Sequence, residues 1–167
     1  MTLPSPEHFF EQAERLAAST EIPRQVDLRR AISSAYYGVF HAMLGAAADQ
    51  FVGVNKRPTS HYALIYRSVD HGTLRNLCSE AQNQRLSPRI ARHTPLNGFG
   101  PDIQAFAAAV LELQEKRLAA DYDPLVRIRA SDVFAAIGCA REALRRFRKA
   151  SGPRRTAFLA LLLFRPR

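Results

Sequence analysis

The chain has no tryptophan, only two cysteines, and no apolar run longer than eight residues. A membrane-spanning helix needs about 20 apolar residues in a row, so none is expected. Cys78 and Cys139 lie far apart, inside predicted helices. This argues for reduced thiols in a cytoplasmic protein rather than for a disulfide framework. No Cys/His cluster has metal-ligand spacing, so neither a metal nor another cofactor is expected. The first residues lack a basic stretch followed by an apolar one, and no signal peptide is expected. No segment alternates apolar and polar residues for long enough to predict a strand. Low-complexity tracts and internal repeats are also missing. What remains is the profile of an ordered α-helical protein with a core of its own.

What is present is positive charge, concentrated at one end. Of the formal net charge of +9, residues 141 to 167 supply nearly all, with nine Lys/Arg against Glu142 alone; the first 140 residues carry 15 Lys/Arg against 14 acids. Arginine makes up 21 of the 24 basic residues, which suits planar, bidentate contacts with phosphate or carboxylate. Such asymmetry points to an anionic partner, either nucleic acid or an acidic protein, or else to a solvated basic face.

The most informative stretch is residues 26 to 47. Leu28, Ile32, Ala35, Val39, Met43 and Ala46 step by 4, 3, 4, 4 and 3, one continuous stripe on a helix that ends near Asp49. Arg30, Ser34, Tyr37 and His41 form a second, polar stripe roughly opposite; Tyr36 and Phe40 flank the apolar one as core. Before it, Ser5-Pro6-Glu7 opens a first helix reaching about Ala18. After it comes a loop over residues 52 to 60. Two short helices follow, one capped by Ser60 with Tyr62, Leu64, Ile65 and Tyr66 able to pack, the other capped by Thr73. Residues 84 to 101 form the longest irregular stretch. Pro101-Asp102 starts a long helix that Pro124 stops by about Asp123. Ser131-Asp132 caps the last strong helix, in which Val133, Ile137, Ala140, Leu144 and Phe147 share one face, and Gly152-Pro153 ends it. The reading is all-α: an antiparallel four- to five-helix bundle over residues 1–150, with a basic and apolar tail over 151–167. The tail's apolar run, Ala157 to Phe164, is expected to dock on the core, on a second subunit, on a partner protein or at a membrane surface.

Two segments, LRRAISSAYYGVFHAM (Leu28 to Met43) and LQEKRLAADYDP (Leu113 to Pro124), together resemble the HEPN superfamily of small prokaryotic helical bundles. The likeness is to its branch with an AYY..FH helix and a later R...ADY segment, and covers roughly residues 5 to 149. The resemblance implies a bundle that forms a homodimer. Many relatives are metal-independent endoribonucleases, often toxins, and often encoded beside a nucleotidyltransferase. Their chemistry uses an Arg and a His spaced R-x4-6-H. The His acts on the ribose 2′-hydroxyl and the Arg steadies the phosphate. This chain departs from that pattern: Arg117 stands in the motif's place, but Asp121 and Tyr122 follow it and no His does. Arg57/His61, Arg67/His71 and Arg89/His93 are each one residue short of the spacing.

The candidate catalytic residues are therefore His41, Arg117, Tyr37, Asp121 and Tyr122, with His41 as the replacement base. Each has a plain structural alternative: a His bonded to a Tyr or a carboxylate, an i,i+4 ion pair between Arg117 and Asp121, and Tyr122 packing at a helix end. The candidate nucleic-acid surface is Arg141, Arg145 and Arg148 on one helical ridge, with Arg154, Arg155 and Arg30. Two functions are expected in parallel. One is an RNA-directed HEPN-like protein, a ribonuclease toxin of a toxin–antitoxin or anti-phage system. The other is a catalytically inactive dimeric module whose tail docks a nucleotidyltransferase or a defence protein.

Overall fold

The computed structural model describes residues 4–18 and 22–166. These are all-helical, without a strand. The helices are α1 (Pro6–Ala18), α2 (Gln25–Phe51), α3 (Ser60–Tyr66), α4 (His71–Ala81), α5 (Pro88–Ala91), α6 (Gly100–Tyr122), α7 (Ala130–Lys149) and α8 (Gly152–Leu163), with a 3₁₀ turn at Val54–Lys56. None of them is long and apolar enough to cross a membrane.

The bundle is built around α2, which packs against α1, α3, α6, α7 and α8. Fourteen of its 27 residues are buried, so it is covered on most sides rather than on one face. The expected polar stripe is accordingly altered. Arg30 is exposed, Tyr37 and His41 are half-buried, and Ser34 is buried with its hydroxyl donating to Gln12 Oε1 at 3.1 Å. Close packing of α1 depends on Gly38: a Cβ there would lie 2.5 Å from Phe10 Cε1.

Helix starts follow cap chemistry, shifted slightly from the sequence expectation. Thr59 rather than Ser60 caps α3, accepting from Tyr62 N at 3.3 Å. Asp70 rather than Thr73 caps α4, accepting from Thr73 N at 2.6 Å. Arg129 rather than Ser131 is the cap of α7, and Asp132 in the first turn accepts from Arg129 N at 2.8 Å. Leu64, expected to pack, is exposed. The irregular stretch before α6 contains α5 and is anchored by buried Phe99. It ends at Gly100, whose φ of +74° and closeness to the Arg154 guanidinium both suit a residue without a side chain.

The C-terminal apolar run lies on this chain's own core. Ala157, Phe158, Leu159, Leu161 and Leu162 are buried in α8. Phe158 meets the rings of Phe99, Phe106 and Phe147 at 5.8, 5.6 and 6.0 Å, all near edge-to-face. Full burial of one such ring is worth about 1.5–3 kcal/mol, one of several contributions that hold α8, a helix with Pro153 in its first turn, on the core.

Candidate functional site

The two segments quoted above meet across α2 and α6. Arg117 Nη2 donates to Tyr37 OH at 3.1 Å, and its guanidinium lies over the rings of Tyr37 and Tyr122 at 5.6 and 5.9 Å. Arg117 Nε is 2.8 Å from Asp121 Oδ2. The nitrogen is nonetheless unsatisfied as a donor, so the contact is an ion pair without an aligned hydrogen bond. Ser33 Oγ donates to the other carboxylate oxygen of Asp121 at 2.5 Å. The Arg117 side chain is only 13% exposed. Tyr37, Arg117, Asp121 and Tyr122 thus form one interlocked cluster. Arg29 extends it, donating to Ala120 O and Val126 O at 2.8 Å each and so satisfying carbonyls where α6 ends.

His71, named from the sequence only in the Arg67/His71 pair, opens α4 beside this cluster. One ring nitrogen, Nδ1, lies 2.9 Å from Tyr36 OH, and the ring sits 4.0 Å from that of Phe40. Burial and the Arg117 charge push the His71 pKa down, against the opposing pull of Asp70. Burial likewise raises the hydroxyl pKa of Tyr36.

His41 faces elsewhere. Its ring stacks on Phe9 at 5.0 Å and 9°, and Nδ1 lies 2.7 Å from Tyr66 OH. The Tyr37 ring is 6.3 Å away, between His41 and the arginine cluster. Burial lowers the His41 pKa, so the imidazole is neutral near pH 7. Its Nε2 has no partner among the described residues. His41 lines an open cleft of about 540 Å³, and Arg117 does not. One helical face of α2, His41, Ala42, Gly45, Ala46 and Asp49, forms the floor. The walls include Tyr66, Arg57, Phe147, Arg148, Arg155 and the segment leading into α1.

Charge is handled differently at each arginine of the cleft. Arg57 is held by Asp49, Nε to Oδ1 at 3.0 Å and Nη2 to Oδ2 at 2.7 Å, and Tyr62 OH donates to the same carboxylate at 2.8 Å. The Arg57 hydrogen bond, ahead of that from Tyr62, keeps the Asp49 carboxyl below its usual range despite burial. Burial first, then Asp49, pushes Tyr62 up to about 12. Arg155 Nη1 donates to the Arg148 carbonyl. Neither Arg148 nor Arg155 has a carboxylate partner among the described residues.

The remaining predicted basic residues are spread out. Arg141 bridges Glu7 and Glu14, the latter at 2.8 Å, and lies over the Phe10 ring, tying α7 to α1. Arg145 pairs with Glu142 at 2.6 Å. Arg154 packs against Gly100. Arg30 is exposed and lines neither cluster nor cleft. Of the predicted ridge, Arg148 alone reaches the cleft, joined there by Arg155. The sequence reading missed Arg57 with Asp49, and His71. The local signal for the first was weak: an acid eight residues before an arginine across a loop.

Among the described residues no group of three His, Cys, Asp or Glu side chains is placed to hold a metal ion. No family model matches the chain, and neither does any curated protein or solved structure.

Proposed function

We propose that the protein is a HEPN-like, RNA-directed helical bundle of the cytoplasm, working as the ribonuclease toxin of a toxin–antitoxin or anti-phage system. The observation that carries this reading is the cleft that His41 lines together with Arg148 and Arg155, two guanidiniums without a carboxylate partner among the described residues. Support also comes from the meeting of Tyr37 with Arg117 and of Ser33 with Asp121, which joins the two resembling segments.

The chemistry is general-base transesterification. A neutral His41 takes the proton of a ribose 2′-hydroxyl through Nε2, while Nδ1 is steadied by Tyr66 OH. The 2′-oxygen attacks the adjacent phosphorus, the P–O5′ bond breaks, the proton held by His41 passes through water to the leaving 5′-oxygen, and a 2′,3′-cyclic phosphate and a 5′-hydroxyl end result. Arg148 and Arg155 hold phosphate charge of the RNA bound in the cleft. In this reading Arg117 positions Tyr37 behind the His41 ring instead of touching RNA. The test is incubation of the purified protein with mixed RNA in EDTA. Cleavage is expected, and His41→Ala should reduce it by about 10²-fold or more. No cleavage, or cleavage unchanged in His41→Ala, rejects the catalytic reading.

A second reading is a non-catalytic homodimeric module that serves a nucleotidyltransferase or a defence protein. The engagement of Arg117 by Tyr37, Tyr122 and Asp121 favours it, because the family's reactive arginine is then spent on structure. The apolar run of α8 lies on its own core, and the contact we propose for the dimer is exposed Ile22, Val26 and Leu125. These lie where Gln25 exchanges hydrogen bonds with Ile128. Val26→Glu with Leu125→Glu should convert a dimer to a monomer in sedimentation equilibrium. A dimer that survives the pair of charges excludes this surface.

A further inference from the structure

Charge and shape within the His41 cleft narrow what it can hold. Of the four arginines on α7, Arg141, Arg145 and Arg146 each have a carboxylate partner, and Arg148 does not. Across the cleft, Arg57 is offset by Asp49. With His41 neutral, Arg148 and Arg155 leave a local excess of two positive charges. An internal phosphodiester carries a single negative charge and would leave one guanidinium unmatched. A terminal phosphomonoester carries about −1.5 to −2 at neutral pH and presents three acceptor oxygens, which two arginine forks can share.

The cleft floor leaves room for such a group. Ala42, Gly45 and Ala46 separate His41 from Asp49 and keep the backbone of α2 open to close approach. A glycine in mid-helix weakens the helix and is normally excused by packing. Gly38 has that excuse, since Phe10 occupies the space beside it. At Gly45 a Cβ meets nothing within 4 Å, as at Gly138 outside the cleft, and Gly45 lines the cleft. The room left by its missing side chain therefore belongs to the cleft. The cleft volume of about 540 Å³ lies within the range of small-ligand sites.

The geometry points to a nucleoside phosphomonoester as the group bound in this cleft, its phosphate between Arg148 and Arg155 and its sugar over Gly45 beside His41. The inference rests on the RNA-directed reading only for its source, the 5′-phosphorylated end of an RNA; a free mononucleotide offers the same chemistry. In this arrangement the protein measures from an RNA end, and cleavage falls next to it.

Fluorescence anisotropy on the full chain with two short RNAs of one sequence, one 5′-phosphorylated and one 5′-hydroxyl, tests it, with AMP as competitor. The phosphorylated RNA is expected to bind about tenfold tighter or better, and the double variant Arg148→Gln/Arg155→Gln should shrink that difference to about twofold. Gly45→Leu should weaken the phosphorylated RNA about tenfold while Tm holds or rises, because leucine fills the floor and favours helix. Gly138→Leu, at an equally open helical position outside the cleft, should leave binding unchanged. Should Gly45→Leu disturb the fold, the arginine pair carries the test. Competition by AMP assigns a free mononucleotide as a second source, and failure to compete confines the site to RNA ends. Equal binding of the two RNAs overturns the inference and leaves the RNA reading standing. AMP binding without either RNA keeps the phosphomonoester and overturns the RNA reading. No binding of RNA or AMP overturns both.

Discussion

Two polar clusters flank the Tyr37 ring of α2, and they use the same residue types in opposite ways. On one side Arg117 is enclosed by Tyr37, Tyr122 and Asp121, with Ser33 completing the carboxylate. On the other, His41 opens onto a cleft with Arg148 and Arg155, whose charges meet no acid among the described residues. A charge matched inside the chain ties helices together and is costly to lose; a charge left unmatched at a concave surface is available to a ligand. The difference between the two sides is one of pairing rather than of composition.

The comparison collapses if α8 is loosened, because α8 carries Arg155. Phe158→Ala removes a fully buried ring and should cost about 3–5 kcal/mol in urea denaturation, with RNA binding lost at the same time. Next in size, Arg117→Ala should cost about 1–3 kcal/mol by leaving Asp121 and Tyr37 without their partner, yet leave RNA affinity unchanged. An Arg117→Ala protein that keeps its stability and loses RNA would invert the assignment of the two sides.

Acid should separate the sides further. Burial depresses the pKa of both His41 and His71, so the unfolded chain takes up their protons first. The stability they permit is fully present above the ordinary histidine pKa of 6.5 and declines as pH falls through it towards the lower folded-state values. His71→Gln should flatten that decline in urea titrations across the acid range, and a slope as steep as in the unaltered protein would remove His71 from the account. The smallest effect on stability is expected for Arg148→Ala, within about 0.5 kcal/mol. Its signature is in binding, where the slope of log K against log salt for single-stranded RNA should fall by about 0.7.

How much of this was legible in the residues differs between fold and site. The helical spacing of Leu28, Ile32, Val39 and Met43, and the start signals Pro101-Asp102 and Ser131-Asp132, foretold the long helices because local rules govern both, although the signals fall within the first turns and the caps are Phe99 and Arg129. Leu64 and the caps of α3 and α4 were misjudged by small amounts, since short helices are settled by their packing. The cleft was not legible. His41 and Arg148 stand on different helices, and nothing local tells that Arg141 and Arg145 find carboxylates while Arg148 finds none. His71 drew notice only as the partner of Arg67 in a spacing one residue short, because the cap of α4 was placed at Thr73, whereas Asp70 is the cap and His71 the first helical residue.

The central claim is that RNA lies against the His41 side of α2 and not the Arg117 side. Ultraviolet cross-linking of the protein to single-stranded RNA, with the adducts located by mass spectrometry, reads this directly. The account predicts adducts on peptides holding His41, Tyr66 and Phe147. Adducts confined to the peptides of Arg117 and Tyr122, or none at all, would contradict it.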